Sequence, residues 1–314
     1  MSYPLIFTAE EVEQVGMPKA IELMREAFRL LSEGRVQVPL RTAMETDDKT
    51  GMALFMPSYA PSWKLFGLKM VSVFGGNVDP LPAIQGQMLL MDAGSGQLLA
   101  MLDAPSVTAL RTGAASGLAT DLLSNASATT LAVFGTGVQA WTQVAGVMAV
   151  RSINRILVKG TSPENEKHFC DRIRGTHKVS CEPLWKPTDL LDADIICTAT
   201  NSVDPIVELK NVKPGAHINA VGSYKPHMRE LSEDVIARCK LVVDQRAAVL
   251  HEAGEVVIPI KEGRLSPEII YAELGELVAG RSGRTATDEI TVFKSVGNAV
   301  QDLAVARYLV GKAV

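Results

Sequence analysis

Residues 130–144 have the sequence Thr130-Leu-Ala-Val-Phe-Gly135-Thr-Gly137-Val-Gln-Ala140-Trp-Thr-Gln-Val144, an apolar, β-rich run that is followed by glycines and then by a helical pattern. The pattern predicts a strand, a tight turn and a helix. Gly135 permits the turn, Gly137 lets the backbone approach a pyrophosphate, and Ala140 lets the helix pack closely on the strand. The N-terminus of that helix offers N–H groups and a positive dipole end to phosphate oxygens.

A G-x-G-x-x-A turn by itself is compatible with a structural role, because glycine turns occur in many proteins that bind no nucleotide. Here a second predicted strand, Arg155–Val158, follows at the spacing of a βαβ unit. Strand and helix patterns then alternate as far as Leu241–Val243, which predicts a parallel sheet covered by helices on both faces. This context favours a dinucleotide at the turn over a purely structural turn.

The composition disfavours several classes of partner. The chain has 314 residues, of which 47% are hydrophobic and 21% charged, and its formal net charge is -4. Without a basic excess, neither a nucleic acid nor an anionic membrane is expected as a partner. No apolar run approaches the roughly 20 residues that span a bilayer, and Met1–Glu10 lacks a signal-peptide pattern, so we expect a cytoplasmic protein. The cysteines and histidines show no metal-ligand spacing, so no metal site is predicted.

The first third of the chain predicts helices followed by a mainly antiparallel sheet. Residues Thr8–Glu33 show helical spacing, begin with a capping-box pair of Thr8 and Glu11, and end at Gly34. A strand is predicted over Val36–Thr42, with Arg41 opposite its apolar face. Further strands are predicted at 51–57, 63–74, 83–90 and 98–102, followed by a helix rich in small residues at 104–120.

A last predicted helix, Ala299–Val310, returns to this domain, since the ends of an inserted domain tend to lie together. We therefore predict two domains. Residues 1–115 with 299–314 form an α+β substrate-binding and dimerisation domain, and residues 116–298 form the dinucleotide-binding domain. The predicted fold class is α/β, with a Rossmann-type, doubly wound parallel sheet in the second domain.

The choice of nicotinamide cofactor depends on the end of the second strand. An acid that binds the ribose of NAD is expected there, about 20 residues past the glycines. Lys159-Gly-Thr161-Ser162-Pro163 occupies that window, and the first acid is Glu164. Because no carboxylate is placed to repel a 2′-phosphate, and Lys159, Thr161 and Ser162 are able to contact one, the sequence favours NADPH over NADH.

Three cations of the first domain, Arg41, Lys69 and Arg111, lie beside or within apolar patterns. Each taken alone is explained by contact with solvent or with a structural carboxylate. Together they suggest an anion site, because arginine holds a carboxylate through two hydrogen bonds. A lysine beside two arginines is repelled in its charged form, which eases proton donation and makes Lys69 the candidate acid.

With these residues in place, the chain resembles the ornithine cyclodeaminase/μ-crystallin family over nearly its whole length. The resemblance rests on the combination of Phe66-Gly-Leu-Lys69, Leu110-Arg111-Thr112-Gly-Ala-Ala-Ser, Gly135-Thr-Gly137-Val-Gln139-Ala, Ala220-Val-Gly222-Ser223-Tyr224-Lys225-Pro226 with Arg229-Glu230-Leu231, and Val292-Phe293-Lys-Ser295-Val-Gly297. It implies a nicotinamide cofactor on the glycine turn and a substrate α-carboxylate held by Arg41, Lys69 and Arg111. It also implies a homodimer whose first domains join their sheets.

The motifs and the resemblance together predict a set of functional residues. Lys69 is the predicted catalytic residue. The predicted substrate-binding residues are Arg41, Lys69, Arg111, Ser223 and Tyr224. The predicted cofactor-binding residues are Thr112, Gly135, Thr136, Gly137, Val138, Gln139, Lys159, Thr161, Ser162, Thr198, Thr200, Val221, Gly222 and Ser295.

One departure from the family pattern favours a subfamily. Similar cyclodeaminases and amino-acid deaminating members carry an aspartate in the loop where this chain has Tyr224, and a phenol with an unperturbed pKa of roughly 10 is not an anionic partner at neutral pH. The loop is instead similar to that of ketimine-reducing members. The resemblance therefore implies NAD(P)H-dependent reduction of Δ1-pyrroline-2-carboxylate, or Δ1-piperideine-2-carboxylate, to L-proline or L-pipecolate. An alanine dehydrogenase, an ornithine or lysine cyclodeaminase, and a non-catalytic binding protein are the alternatives.

Overall fold

The chain forms two compact units in the computed structural model, which describes residues 3–78 and 80–313. The first unit comprises Met1–Arg111 and Asn298–Val314, and the second comprises Thr112–Gly297. The boundaries predicted from the sequence, at 115/116 and 298/299, lie close to these. Within the described residues, no helix combines the length and the apolar character needed to cross a membrane.

The first unit is built on a mixed sheet. Its strands are β1 (Leu5–Phe7), β2 (Thr42–Glu45), β3 (Met52–Ala60), β4 (Leu65–Val73), β5 (Ile84–Asp92) and β6 (Leu98–Asp103), in the spatial order β1-β6-β5-β4-β3-β2. Neighbouring strands pair antiparallel, except that β1 runs parallel to β6. The helices are α1 (Ala9–Glu13), α2 (Met17–Ser32), the first part of α3 (Ala104–Leu123), and α10 (Ala299–Ala313).

One face of this sheet packs on α10. In β3 every second side chain is buried, from Met52 through Leu54 to Met56. Gly67 of β4 lies so close to α10 that a Cβ at this position would be 3.0 Å from Leu303 Cδ1. The last helix of the chain therefore closes the core of the first unit, and it places its buried side chains against the strand that carries Lys69.

The strand predicted over Val36–Thr42 is wrong. The strand begins only at Thr42, so Arg41 lies in the connection that precedes β2 rather than on a strand. Pro39 has no N–H to donate to a ladder, which prevents regular pairing before this point. Gln37 forms an isolated bridge to Tyr59 instead.

The second unit is a parallel, doubly wound sheet, which confirms the predicted fold class. Its strands are β7 (Thr130–Phe134), β8 (Arg155–Lys159), β9 (Ser180–Pro183), β10 (Ile195–Thr198), β11 (His217–Ala220), β12 (Lys240–Val243), β13 (Ile270–Glu273) and β14 (Thr291–Lys294). They lie in the order β13-β12-β14-β11-β10-β7-β8-β9, with neighbours parallel. The helices are α4 (Val138–Met148), α5 (Pro163–His177), α6 (Glu233–Arg238), α7 (Arg246–Glu252), α8 (Gly254–Lys261) and α9 (Leu274–Val278).

The strand order of this sheet reverses at β7. The chain moves from β7 through β8 to β9 at one edge, and β10 then lies on the other side of β7. In open α/β sheets, ligands bind outside the carboxyl ends of the strands at such a point. The glycine turn follows the carboxyl end of β7, so the fold places it where a ligand is expected.

Candidate active site

The two glycines of the turn after β7 are present for different physical reasons. Gly135 has φ +107°, and a Cβ there would lie 2.6 Å from the carbonyl oxygen of Ala199, so folding itself requires glycine. Gly137 has an ordinary φ of -86°. Apart from Gly137 itself and its neighbours in the chain, no described atom lies within 4 Å of the position that its Cβ would take. Packing therefore does not explain glycine at 137, whereas the close approach of a phosphate does.

Helix α4 begins at this turn, with Gly137 as its N-cap. Because Gly137 has no side chain, it caps none of the N–H groups in the first turn of α4, and these groups remain available to bind an anion. Gln139 Oε1 is buried and has no hydrogen-bond partner among the described atoms. Val138 is 68% exposed although it is apolar, while Ala140 is fully buried. These features fit a bound dinucleotide better than a purely structural turn.

A buried carboxylate reaches the window at the end of β8, contrary to the expectation from the sequence. Lys159 Nζ lies 2.9 Å from Glu166 Oε1. The same oxygen accepts a hydrogen bond from the Gly160 N–H at 3.0 Å. Glu166 is only 3% exposed, and a Cβ on Gly160 would meet Thr136 Cγ2 at 2.8 Å. Glu166 thus offsets the charge of Lys159, and the loop packs on the glycine turn.

The other two residues in that window, Thr161 and Ser162, use their hydroxyls in hydrogen bonds at the start of α5. Ser162 Oγ is the N-cap acceptor for the Asn165 N–H at 3.2 Å. Thr161 Oγ1 accepts from the Asn165 side-chain amide, also at 3.2 Å. Thr161 is exposed and Ser162 is half-buried, so both remain at the surface of the second unit beside Lys159.

The carboxylate of Glu230 links the carboxyl ends of β10 and β11 through hydrogen bonds. Its carboxylate is fully buried. It accepts hydrogen bonds from Thr198 Oγ1 at 2.8 Å, Thr200 N at 2.7 Å and Gly222 N at 2.8 Å. Thr200 Oγ1 and Ser223 N also donate to it, while burial raises the pKa of the Glu230 carboxyl. The hydroxyls of Thr198 and Thr200, two predicted cofactor residues, are therefore bound to Glu230 and shape the loop.

The side chain of Ser223, which we predicted to bind the substrate, makes internal hydrogen bonds in this structure. Ser223 is fully buried, and its Oγ donates to Glu255 Oε2. Lys294 Nζ donates to Ser223 Oγ at 2.6 Å and to the Ser223 carbonyl at 2.7 Å, and it pairs with Glu255 at 3.0 Å. Ser223 therefore holds the loop that carries Gly222 and Tyr224.

Ser295, which we predicted to contact the cofactor, has a similar internal partner. Its Oγ donates to Asp244 Oδ2 at 2.8 Å. The same oxygen accepts from the N–H groups of Val296 at 3.0 Å and Gly297 at 2.7 Å. Both Ser295 and Asp244 are buried, so the buried carboxylate after β12 fixes the loop after β14.

The remaining predicted residues of the second unit are Val221 and Tyr224, beside these loops, and Thr112 in α3. Val221 and Tyr224 follow β11 and are half-buried. Lys225 Nζ lies 5.9 Å from the centroid of the Tyr224 ring. Thr112 is buried in α3, where its carbonyl accepts from Gln143 Nε2 of α4 at 3.5 Å.

In the first unit, Lys69 and Arg111 meet at a buried carboxylate. Lys69 Nζ lies 3.0 Å from Asp302 Oδ1 and 3.1 Å from Thr108 Oγ1. Arg111 Nε lies 3.3 Å from the same Asp302 oxygen, and its Nη1 donates to Gln301 Oε1 at 2.8 Å. Lys69, Arg111 and Asp302 are 1%, 6% and 0% exposed. The two predicted cations therefore form one desolvated cluster.

The electrostatics of this cluster suit proton transfer by Lys69. Burial lowers the pKa of Lys69 to about 8. Asp302 raises the pKa, whereas the positive charges of Arg111 and Arg41 lower it. The charges of all three predicted cations therefore act on the proton of Lys69. A lysine of this pKa exchanges its proton near neutral pH, as an acid catalyst must.

No role was predicted for the buried carboxylates of Glu166, Glu230, Asp244 and Asp302. The sequence could have pointed to Asp302, because this acid lies within the otherwise mainly apolar helix pattern of Ala299–Val310. A charge in such a pattern is rarely buried without a partner. Within residues 3–78 and 80–313, no group of three or more His, Cys, Asp or Glu side chains is arranged to hold a metal ion.

Comparison with known proteins gives matches along nearly the whole chain. Residues 4–314 match the sequence profile of the ornithine cyclodeaminase/mu-crystallin family. A Δ1-pyrroline-2-carboxylate reductase of Bacillus cereus (strain ZK / E33L) is 38% identical over 322 residues, covering 99% of this chain and 97% of that protein.

Two solved structures have the same fold. The Thermococcus litoralis Δ1-pyrroline-2-carboxylate reductase in complex with NADH and L-proline superposes with a TM-score of 0.94 at 36% identity, covering 98% of this chain and 97% of the other. An archaeal alanine dehydrogenase dimer with bound NAD superposes with a TM-score of 0.91 at 32% identity, covering 99% and 96%. The chain is therefore similar both to a reductase and to a dehydrogenase.

Proposed function

Because the chain belongs to the ornithine cyclodeaminase/μ-crystallin family, we propose that it is an NAD(P)H-dependent reductase of cyclic ketimines. Its substrate is Δ1-pyrroline-2-carboxylate, with Δ1-piperideine-2-carboxylate as a six-membered homologue, and its products are L-proline and L-pipecolate. The observation that supports the proposal is the buried cluster of Lys69 and Arg111, whose charges suit the binding of a carboxylate and the donation of a proton. The reductases of Bacillus cereus and Thermococcus litoralis support the substrate class.

The substrate carboxylate binds at this cluster. Lys69 and Arg111 carry two buried positive charges, whereas Asp302 contributes one negative charge. Arg41 adds a further positive charge nearby. A desolvated site with excess positive charge is stabilised by an anion, and the planar guanidinium of Arg111 matches the geometry of a carboxylate.

Lys69 gives its proton to the imine nitrogen, directly or through a water molecule. A reduced nicotinamide bound at the glycine turn would supply the hydride for C2 of the ring, and together with the proton this would convert the C=N bond into a CH–NH bond. Because the pKa of Lys69 is lowered to about 8, the residue is largely protonated at neutral pH yet releases its proton readily. The fixed position of the carboxylate presents the imine nitrogen in one orientation, which supplies a further part of the catalysis.

We propose that NADPH is the preferred cofactor and that NADH can replace it. The open position at Gly137 and the start of α4 receive the pyrophosphate. Lys159, Thr161 and Ser162 support binding of a 2′-phosphate at the end of β8. The ion pair of Lys159 with Glu166 offsets part of that attraction, which narrows the difference in affinity between the two cofactors.

We propose a homodimer that forms through the open face of the first unit's sheet. The face opposite α10 carries Met44, Phe66 and Met70, which are 61%, 37% and 44% exposed. Tyr59 and Phe66 stack on this face with ring centroids 4.5 Å apart. A contiguous apolar face of this kind is typical of an association surface. Light scattering should give the mass of a dimer, and a monomer mass at micromolar concentration would contradict the proposal.

An amino-acid dehydrogenase is the second candidate, and the archaeal alanine dehydrogenase favours it. An open-chain amino acid brings an ammonium group, which requires an anionic partner. The cluster around Lys69 already holds an excess of positive charge, and the loop after β11 carries Tyr224 rather than an acid. Both observations favour the imine over the amino acid as the substrate.

A panel of substrates separates these functions. Purified protein is incubated with Δ1-pyrroline-2-carboxylate and NADPH, with L-alanine and NAD, and with L-ornithine and NAD. Formation of L-proline in the first reaction supports the reductase. Steady reduction of NAD by L-alanine would establish the dehydrogenase, and ammonia from L-ornithine without net cofactor consumption would establish a cyclodeaminase. No reaction in any sample would indicate a binding protein.

A further inference from the structure

One carboxylate, that of Asp302, fixes both cations of the substrate cluster. Asp302 lies in the first turn of α10 and is fully buried. Its Oδ1 lies 3.0 Å from Lys69 Nζ and 3.3 Å from Arg111 Nε. Its Oδ2 lies 2.9 Å from Lys69 Nζ. The same side chain thus orients the proposed acid and a proposed carboxylate-binding group.

The charges that act on Lys69 come from several parts of the first unit. Arg111 lies on α3 together with the neutral partner Thr108, Arg41 precedes β2, and Asp302 lies on α10. Arg111 and Arg41 repel the ammonium, whereas Asp302 attracts it. Among these groups, Asp302 is the negative charge that favours the protonated lysine.

We propose that Asp302 is a positioning residue, which holds the Lys69 ammonium in place and in its protonated form until the imine nitrogen takes the proton. This inference rests on the proposed reductase function. In the transfer, an N–H bond of Lys69 breaks and an N–H bond of the product forms. The side chain of Lys69 is left as a neutral amine. Asp302 then remains paired with Arg111, so the carboxylate is not left buried without a positive partner.

The balance of effects on Lys69 supports this role. Burial and the two arginines lower the pKa of Lys69, Asp302 opposes them, and the resulting pKa is about 8. Without the charge of Asp302, the pKa falls further, because the opposing contribution is lost. Lys69 then loses its proton at a lower pH, and a smaller fraction of the enzyme carries the acid at neutral pH.

The test is the pH dependence of kcat/KM for reduction of Δ1-pyrroline-2-carboxylate by the wild-type protein and by Asp302→Asn. In the wild type we expect the rate to fall as the pH rises through about 8. In the variant we expect this fall to move to lower pH by about one unit, which gives a loss of about fivefold at pH 8 that approaches 10-fold at higher pH and narrows as the pH decreases. An equal loss at every pH, with the fall unmoved, would assign Asp302 a purely structural role and overturn the proposal.

Glu26→Gln is the matched control. Glu26 on α2 binds Arg307 of α10 at 2.9 and 3.0 Å, so its replacement removes a carboxylate that contacts α10 at a different residue, away from Lys69. We expect the pH dependence of the wild type for this variant. The same shift as in Asp302→Asn would mean that any disturbance of α10 produces the effect, and it would overturn the proposal.

Asp302→Glu keeps the charge but displaces the carboxylate, and it carries the test if Asp302→Asn does not fold. A wild-type pH dependence with a lower kcat supports the proposal. An unchanged kcat would show that the position of the carboxylate is immaterial, and it would overturn the proposal. Failure of both variants to fold would assign Asp302 to folding, and this result would overturn the proposal as well. Absence of imine reduction by the wild type would contradict the proposed function itself, and this is measured before any variant.

Discussion

The pair of substitutions Gly137→Ala and Gly135→Ala separates a glycine that a ligand needs from a glycine that the fold needs. At Gly137 the φ of -86° suits alanine, and no described atom lies within 4 Å of the new Cβ. We therefore expect the free energy of unfolding to change by less than about 0.5 kcal/mol. The methyl group fills the space that a phosphate would occupy, so cofactor affinity should fall.

The expected loss of affinity follows from the contacts at risk. A hydrogen bond to a charged group contributes about 1.5–3 kcal/mol, so losing one phosphate contact weakens binding of the dinucleotide by about 10- to 100-fold. Gly135→Ala should behave differently. Its φ of +107° and the 2.6 Å approach to the Ala199 carbonyl oxygen predict a loss of stability of about 1–3 kcal/mol or more.

Two assays distinguish the Gly137→Ala variant from the Gly135→Ala variant. Urea denaturation gives the free energy of unfolding, and fluorescence titration with NADH and NADPH gives the dissociation constants. We expect Gly137→Ala to lose affinity with wild-type stability, and Gly135→Ala to lose stability. Wild-type affinity for both cofactors in Gly137→Ala would show that no phosphate approaches this backbone and would refute the assignment of the turn.

Four further predictions concern the chemistry. Lys69→Met should lower the rate of imine reduction by about 100- to 10,000-fold while cofactor affinity is retained, and near-normal turnover would exclude Lys69 as the acid. Arg111→Ala should raise KM for the imine by about 10- to 100-fold, since it removes charge-assisted hydrogen bonds to the carboxylate, and an unchanged KM would make Arg111 structural. Because burial lowers the pKa of Lys69 to about 8, imine reduction should slow and L-proline oxidation should speed up as the pH rises through that value. Parallel profiles for the two directions would contradict this assignment. Glu166→Gln leaves Lys159 without its anionic partner but keeps an oxygen for the Gly160 N–H, so the preference for NADPH over NADH, measured as a ratio of kcat/KM, should rise by up to about fivefold. No change in that ratio would mean that Lys159 does not contact the 2′-phosphate.

Much of the fold followed from local patterns in the sequence. The run from Thr130 to Val144 contains its own strand, turn and helix signals, and the structure forms all three. The position of β14 between β11 and β12 could not be predicted, because the pairing of Thr291 with His217 is set by contacts between distant segments. The strand predicted at Val36–Thr42 failed because alternation of apolar residues does not reveal whether a partner strand is available.

The site was predicted in part, for a similar reason. Lys69 and Arg111 stood out as cations in apolar patterns, so their proximity was a testable inference. Asp302 lies 233 residues from Lys69 in sequence, and no local pattern links the two. The role of Glu166 could not be predicted, because this acid lies in the first turn of the following helix and reaches the loop only through the way that helix folds back on it.

The most direct test of the proposed function is the loss of reduced-nicotinamide absorbance when the purified protein is mixed with freshly generated Δ1-pyrroline-2-carboxylate. NADPH and NADH are compared in parallel, with L-ornithine plus NAD as the control sample. We predict rapid loss of absorbance with the imine, matched by formation of L-proline, and no change with L-ornithine. No loss with either cofactor, together with proline and ammonia from L-ornithine, would contradict the reductase and establish a cyclodeaminase.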